Sequence, residues 1–279
     1  MKPAPFAYRR AESLDEVFTT LREFGAEAQI LAGGQSLVPM LNMRVARPAV
    51  LVDINRIAEI DYLRSEHGGV ELGALTRWRS LEDWPETGSA LPLVAAALPL
   101  IAHPAIRNRG TIGGSLALAD PAAELPAVSL ALGGEVVLAS AAARRTVKAE
   151  DFFQGLYQTA LTPEEALLAL RLPAPRPGER CAVYEVSRRH GDFALAGAAI
   201  VARDGVYRIA LFGVADRATL SPAAASLAAA DPAAPAAAFS DALAQDIDFL
   251  GDREHPAPVR RHLAGVAVRR ALDRLAAAG

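Results

Sequence analysis

An apolar run that ends in two adjacent glycines is the feature that most constrains this chain. Residues 29–32 lead into Gly33 and Gly34, and a short polar pair and a helically spaced apolar segment follow. The pattern predicts a buried strand, a tight turn and a helix, because paired glycines allow positive φ and close approach of another group. The amides of Gly34, Gln35 and Ser36 would then face outward and form a phosphate or diphosphate site. The alternative is an ordinary turn with Ser36 as a helix cap.

A second glycine pair repeats this arrangement later in the chain. Residues 106–121 contain Gly113 and Gly114, and a serine and a leucine follow them. Two amide-rich loops in one domain suit a diphosphate held from both sides. Neither loop is a P-loop or a G-x-G-x-x-G fingerprint, and both lysines, Lys2 and Lys148, lie outside the glycine loops. These features argue against a kinase or a P-loop ATPase.

The order of elements predicts a mixed fold. Residues 6–54 alternate strand and helix as β-α-β-α-β, which predicts a small, largely parallel layer. Further strands are predicted at 70–74, 135–139 and 165–172, with helices at 91–102 and 124–132.

Three prolines within residues 173–178 mark the clearest boundary in the chain. Beyond it, strands are predicted at 182–187, 194–203 and 207–214, the last two joined by a hairpin at Asp204-Gly205. The alanine-rich remainder predicts helices, because alanine is a strong helix former. The alternative for residues 221–238 is flexible low-complexity sequence.

Composition and charge narrow the function classes. The 279-residue chain is 52% hydrophobic and has a net charge of −3, which favours neither nucleic acid nor an anionic membrane surface as a partner. It contains no apolar run of about 18 residues, so no membrane span is predicted. Residues 1–10 carry no apolar signal core, and we therefore expect a cytoplasmic protein.

Metal-binding side chains are scarce. Cys181 is the only cysteine, whereas an iron–sulfur cluster usually needs four thiolates. The five histidines are scattered without H-E-x-x-H spacing, so no metal site is predicted. No Ser-His-Asp or Cys-His arrangement is supported, and no catalytic side chain is predicted. Any redox metal must therefore lie on another chain.

Three stretches together resemble one protein family. Residues 32–37, Ala-Gly-Gly-Gln-Ser-Leu, are followed by Met-Arg at 43–44 and Leu-Val-Asp-Ile at 51–54. Residues 103–116 end in Thr-Ile-Gly-Gly-Ser-Leu, and residues 187–194 are Ser-Arg-Arg-His-Gly-Asp-Phe-Ala. In this order they resemble segments of the FAD-binding medium subunits of molybdenum hydroxylases, the group that includes carbon monoxide dehydrogenase and xanthine dehydrogenase. The first two stretches resemble the two FAD motifs of these subunits, and the third resembles the start of their C-terminal domain. The resemblance spans nearly the whole chain.

The resemblance implies an α+β fold in two domains. A two-part FAD-binding domain of the vanillyl-alcohol oxidase / p-cresol methylhydroxylase type would cover residues 1–175, with subdomains at about 1–56 and 57–175. A smaller C-terminal domain of the molybdenum hydroxylase flavoprotein type would cover residues 176–279, with a three-stranded antiparallel sheet and helices.

The resemblance also implies noncovalently bound FAD, with the two glycine loops around its diphosphate and the adjoining ribityl chain. Backbone N–H groups satisfy phosphate oxygens without a lysine. The loop residues implied as FAD contacts are Ala32, Gly33, Gly34, Gln35, Ser36, Leu37, Thr111, Gly113, Gly114 and Ser115.

Further FAD contacts are expected outside the loops, each with a structural alternative. Either Glu124 or Asp120 is expected to accept hydrogen bonds from ribityl or ribose hydroxyls, and the resemblance favours Glu124. The alternative role for Asp120 is to form a turn. His103 either touches the flavin or is a structural histidine at a turn. Arg107 and Arg109 either neutralise diphosphate charge or are ordinary surface arginines.

Two apolar residues complete the expected site. Phe193 either covers one flavin face or is a core phenylalanine on a strand, and Leu161 either lies near the cofactor or packs in the core. One position departs from the family pattern. Xanthine dehydrogenases carry a lysine shortly before the Ser-Arg-Arg motif, where this chain has Tyr184 and Glu185.

The function implied is that of an oxidoreductase subunit in a molybdenum-containing hydroxylase. A molybdenum large subunit would supply electrons to the [2Fe–2S] clusters of an iron–sulfur small subunit. This chain would then pass the electrons through FAD to an external acceptor. The complex would be a dimer of heterotrimers. The alternatives are a self-sufficient FAD-dependent oxidoreductase of the vanillyl-alcohol oxidase superfamily and a non-catalytic nucleotide-binding protein. Docking of the iron–sulfur subunit is expected at Pro39, Met40, Asn42 and Met43, whose alternative role is core packing.

Overall fold

The computed structural model describes residues 2–66 and 68–277, and its N-terminal part is a small parallel sheet with two helices. The elements are β1 (Ala7–Arg10), α1 (Leu14–Phe24), β2 (Ala28–Leu31), α2 (Leu37–Asn42) and β3 (Val50–Asp53), with a 3₁₀ turn at Gly25–Glu27. β3 lies between β1 and β2 and runs parallel to both. This arrangement confirms the predicted β-α-β-α-β layer.

Local signals account for the ends of α1. The Ser13 hydroxyl accepts the Glu16 amide at 3.3 Å, and the Glu16 carboxylate accepts the Glu12 amide at 2.9 Å. This capping-box arrangement starts the helix, which ends at Gly25 with a φ of +53°. The prediction of a buried β2 is wrong, because β2 is an edge strand and its side chains are half-buried or exposed.

The middle of the chain forms an antiparallel five-stranded sheet and a group of helices. Its elements are a 3₁₀ turn at Ala58–Ile60, β4 (Leu63–Glu66), β5 (Gly69–Gly73), α3 (Trp78–Asp83), α4 (Thr87–Ala90), α5 (Pro92–Ala97), α6 (Pro104–Arg107), α7 (Ile112–Leu118), α8 (Glu124–Leu132), β6 (Glu135–Ala139), β7 (Arg144–Lys148), α9 (Ala149–Phe152), β8 (Phe153–Gly155), β9 (Gln158–Thr159) and β10 (Ala166–Pro173). The strand order is β4-β5-β10-β6-β7, and β8 pairs with β9 in a separate hairpin.

Most of these elements follow the sequence pattern. The predicted strands are confirmed as β5, β6 and β10, and the predicted helix at 124–132 is confirmed as α8. β4 and β7 were not predicted, because their side chains are mostly polar and exposed and show no apolar alternation. The predicted helix at 91–102 is shorter, since α5 ends at Ala97 and Pro99 has no N–H with which to continue it.

The C-terminal part is an antiparallel sheet covered by helices. Its elements are β11 (Arg180–Ser187), β12 (Ala194–Arg203), β13 (Val206–Phe212), β14 (Thr219–Leu220), α10 (Pro222–Ala230), α11 (Ala236–Leu243) and α12 (Ala257–Ala277). The three predicted strands are confirmed, and Asp204 and Gly205 form the β12–β13 hairpin turn with φ of +52° and +76°. The short β14 was not predicted. The alanine-rich segment packs as helices, so the low-complexity alternative is wrong.

The C-terminal sheet is buried on both faces. Val183 and Phe212 belong to the large apolar core of the preceding region, whereas Ala198 and Ile200 pack with α11 and α12. Alternate residues of a strand point to opposite faces, which explains this division. Because the large core continues past residue 175, the division into domains at that residue stays a prediction. No helix within residues 2–66 and 68–277 is both long and apolar enough to cross a bilayer.

Candidate functional site

The two glycine loops are in contact. Gly33 follows β2, and its backbone lies against Arg109 and Gly110, which lead into α7. A Cβ atom on Gly33 would stand 2.2 Å from the Arg109 carbonyl oxygen and 3.0 Å from Gly110 Cα. Any side chain at this position would push the loops apart, so the close approach requires glycine.

The first loop presents a run of unpaired backbone N–H groups. Gly34 has a φ of +73°, and the Gln35 side-chain amide donates to the Gly33 carbonyl at 3.2 Å. The Ser36 hydroxyl makes no capping bond, so the alternative of an ordinary serine cap is wrong. Within residues 2–66 and 68–277, no protein acceptor is bonded to the amides of Gly33, Gly34, Gln35, Ser36 and Leu37. Successive free amides in a tight turn form an anion-binding concavity.

The second loop uses its amides differently. Thr111 caps α7, and its Oγ1 accepts the Gly114 amide at 3.1 Å. The Gly113 amide donates to the Ala74 carbonyl at 2.9 Å, and a Cβ on Gly113 would lie 2.7 Å from Ala74 Cβ. The expectation that both loops offer free amides is therefore wrong for Gly113 and Gly114. The Gly113 N–H group holds this loop, including the half-buried Ser115, against the end of β5, and the Gly114 N–H group is used by the Thr111 cap within the loop.

Asn55 holds the first loop in place. Its side-chain amide donates to the Ala32 carbonyl at 2.9 Å and to Asp53 Oδ1 at 2.6 Å. Asp53 ends β3, whose carboxyl end lies beside that of β2 because the two strands are parallel. Sequence reasoning missed Asn55. The available signal was an Asp-x-Asn sequence directly after a strand that pairs beside the loop.

The two arginines of the second motif have different environments. Arg107 Nε donates to Glu82 at 2.7 Å, and its Nη1 donates to the Ile101 carbonyl at 2.9 Å. Arg107 is therefore neither an ordinary surface arginine nor a free charge. Arg109 is exposed and has no hydrogen-bond or ion-pair partner for its guanidinium among residues 2–66 and 68–277. Its main chain contacts Gly33, so Arg109 is a free cation next to the first loop.

A second contact connects the histidine turn with the Ser-Arg-Arg loop. His103 precedes α6, and a Cβ atom on Gly191 would lie 2.8 Å from His103 Nδ1. The structural alternative for His103 thus has direct support. Phe193 stands just before β12 and is 69% exposed, so the alternative of a core phenylalanine is wrong. The contact at Gly191 therefore brings the loop that carries the exposed Phe193 ring against the turn at the start of the second motif.

Residues 4–175 match the family described as the FAD binding domain in molybdopterin dehydrogenase. The carbon monoxide dehydrogenase medium chain of Hydrogenophaga pseudoflava is 38% identical over 280 residues, which cover 98% of each chain. The chain belongs to the FAD-binding medium subunits of molybdenum hydroxylases. It is a flavoprotein subunit of an oxidoreductase, and FAD is its cofactor.

Two further relatives extend the comparison. The caffeine dehydrogenase subunit beta of Pseudomonas sp. (strain CBB1) is 43% identical over 202 residues, 72% of this medium subunit and 68% of that one. A solved carbon monoxide dehydrogenase from Hydrogenophaga pseudoflava superimposes with a TM-score of 0.92 at 38% identity, covering 99% of each chain. The mixed helix and sheet fold of this medium subunit is therefore that of its family.

The first loop of this medium subunit fits the diphosphate of FAD. Two phosphate groups carry negative charge and accept hydrogen bonds, and the loop offers consecutive free N–H groups beside the exposed Arg109. The glycine at position 33 is buried and lets the main chain of Arg109 approach this loop closely. No lysine is needed for these contacts.

The acidic residues after α7 lie in a buried setting. Glu124 begins α8 and is 8% exposed, and burial raises its pKa to about 8, with the Glu185 and Asp120 carboxylates adding to the effect. Asp120 Oδ1 accepts the Ala122 amide at 2.9 Å, which supports its turn alternative. Leu161 is half-buried against the large core, as its packing alternative expects. Direct contacts of these residues with FAD stay predictions.

Proposed function

We propose that this subunit receives electrons from a [2Fe–2S] partner and passes them through FAD to an external acceptor. The partners are an iron–sulfur small subunit and a molybdenum large subunit, joined as a dimer of heterotrimers in the cytoplasm. Cys181 as sole cysteine supports an iron–sulfur centre on another chain. Bound FAD would supply the redox chemistry, and this chain supplies its position and electrostatic surroundings.

The observation that carries this proposal is the run of free amides at residues 33–37, packed on the segment that leads into α7. In the proposed site these amides bind the diphosphate, and Glu124 accepts a hydrogen bond from a ribityl hydroxyl. Thr111 and the glycines after it hold the second loop in place. The exposed Phe193 covers one face of the flavin. The burial and bonding described above support these roles. Arg109 offsets diphosphate charge because its guanidinium is free among the described residues, whereas that of Arg107 is bonded to Glu82.

We also propose that residues 1–175 form a two-part FAD domain of the vanillyl-alcohol oxidase type, with subdomains at about 1–56 and 57–175. The separate parallel and antiparallel sheets of these regions support that division. Residues 176–279 form the C-terminal domain, and the irregular segment between β10 and β11 is the connection.

The proposed docking surface for the iron–sulfur subunit is α2 and the turn after it. Val38, Met43 and Val45 are large apolar side chains that are exposed there, directly beyond the first glycine loop. Pro39 is exposed as well, whereas Met40 and Asn42 are half-buried. Several exposed large apolar side chains within one short segment favour a protein contact, and methionine adapts to such contacts.

The test uses the chain co-expressed with its partner subunits and purified through a tag on this chain. We expect a cysteine-rich small chain and a large molybdenum chain to co-purify, with a flavin visible spectrum. The hydroxylated substrate should bleach the flavin only in the complex. Bleaching of the isolated chain by substrate would favour the self-sufficient oxidoreductase. A colourless complex that cannot be reconstituted with FAD would contradict the proposal entirely.

A further inference from the structure

Glu185 lies on the face of β11 that is turned toward the FAD-binding region. Its neighbour Tyr184 points the other way, because the Arg274 guanidinium of α12 lies 4.6 Å from the centre of the Tyr184 ring. Val183, two residues from Glu185 and on the same strand face, packs in the large core. Within residues 2–66 and 68–277, Glu185 Oε2 is a buried oxygen atom without any hydrogen-bond partner.

A second carboxyl, at the start of α8, interacts electrostatically with Glu185. This residue, Glu124, is 8% exposed, and its carboxylate accepts a hydrogen bond from its own backbone amide. Asp120 is the third acidic group in this cluster. Carboxylates that interact in a poorly hydrated cluster repel each other, so the neutral form is favoured.

Within residues 2–66 and 68–277, the arginines of α12 and β13 that bond to neighbouring elements do not compensate this pair. Arg274 of α12 donates to the Val183 carbonyl and stacks on Tyr184, away from the pair. Arg208 of β13 donates to the Leu130 and Ala131 carbonyls and pairs with Glu150, at the other end of α8. Burial raises the pKa of Glu185 to about 7, and its contact with the Ser187 hydroxyl lowers it. At about pH 6 most of this carboxyl therefore carries a proton that it can donate, whereas at about pH 8.5 most of it does not.

We propose that Glu185, through its protonated carboxyl group, donates a hydrogen bond to FAD and is a binding residue of the cofactor site. The residue is linked to two other elements of the proposed site, since it interacts electrostatically with Glu124 and the loop that exposes Phe193 follows its strand. A buried oxygen without a protein partner in this position is explained by a partner on the cofactor. The inference rests on the site proposed above.

The protonation state then controls affinity for FAD. A protonated carboxyl offers a donor without adding charge, whereas a carboxylate offers only acceptor atoms close to an anionic cofactor. Glutamine at position 185 would keep a neutral hydrogen-bond donor on a side chain of nearly the same shape, whereas leucine at this position would remove the donor. Loss of a hydrogen bond of this kind corresponds to about a tenfold change in affinity.

The experiment measures FAD affinity of the full chain, purified with its co-expressed subunits, after removal of the flavin. FAD is titrated at pH 6 and at pH 8.5, and binding is followed by the quenching of flavin fluorescence. The variants are Glu185→Gln and Glu185→Leu, with Tyr184→Phe as the control on the opposite face of β11. Thermal melting of each variant without FAD reports folding.

We expect the unsubstituted protein to bind about tenfold more weakly at pH 8.5 than at pH 6. Glu185→Gln should lose the part of this pH dependence that Glu185 causes and keep only the part due to Glu124, whose pKa is raised to about 8. Glu185→Leu should lose about tenfold in affinity at pH 6 while melting at the same or a higher temperature, because it removes an unsatisfied buried group. Tyr184→Phe should behave as the unsubstituted protein.

Full affinity in Glu185→Leu, or an unchanged pH dependence in Glu185→Gln, would overturn the assignment of Glu185 and leave FAD binding by the chain intact. An unsubstituted complex that takes up no FAD at either pH would instead overturn the proposed function together with this inference.

Discussion

Gly33→Ala tests whether the contact between the two glycine loops shapes the FAD site. The added methyl group would stand 2.2 Å from the Arg109 carbonyl oxygen, whereas ordinary Cβ contacts begin at 3.4 Å. The backbone on one side must therefore move by about 1 Å. The neighbour is main chain rather than the end of a flexible side chain, so no rotamer change relieves the overlap.

The expected cost follows from overpacking of a close contact. It is about 1 to 3 kcal/mol of unfolding free energy, which lowers the melting temperature of a chain of this size by roughly 2 to 10 °C. If the loops separate to relieve the overlap, the free amides at 33–37 also lose their alignment. We then expect FAD affinity to fall by at least about tenfold.

The assay compares the melting temperature without FAD and the FAD dissociation constant of Gly33→Ala with those of Gly88→Ala. Gly88 lies in α4 and would place its Cβ atom in open space, with nothing within 4 Å. Alanine there should be neutral or stabilise the protein by up to about 1 kcal/mol. The reasoning is refuted if Gly33→Ala matches Gly88→Ala in both measurements.

Three further outcomes are expected. The unfolding free energy of the FAD-free protein should fall by at most about 5 kcal/mol as the pH rises from about 5 to 8. The folded pKa of Glu124 is raised to about 8, so the neutral form that stabilises the fold is lost as the pH rises through that value. Chemical denaturation across this pH range checks the slope, which Glu124→Gln should flatten. Thr111→Ala should cost about 1 kcal/mol by removing the cap on α7, whereas Ser36→Ala, which removes no capping bond, should cost less. Equal melting temperatures of these two variants would contradict the cap. Limited proteolysis should cut first within residues 173–180 and leave a fragment of roughly the first 175 residues, since exposed irregular connections are the usual nicking sites. First cleavage confined to the alanine-rich C-terminal helices would argue against this boundary.

Local features of this protein were predictable from the sequence by itself. The Ser13 cap, the turn at Gly34, the Asp204-Gly205 hairpin and the helix at 124–132 depend on residues a few positions apart. Their side chains, backbone dihedrals and periodicity act within one turn or one strand, so a linear pattern contains the information. The family motifs, and with them FAD, were recognisable for the same reason.

Tertiary structure alone decided which of these local features combine into a site. It placed Gly33 on the Arg109 main chain, bonded Asn55 to the Ala32 carbonyl and paired Arg107 with Glu82. It also brought the Glu185 and Glu124 carboxyls into electrostatic interaction. Such contacts join residues distant in the chain, and they exist only when whole sheets and helices have packed. The same packing determines which amides keep protein acceptors and which stay free, and hence where an anionic cofactor binds.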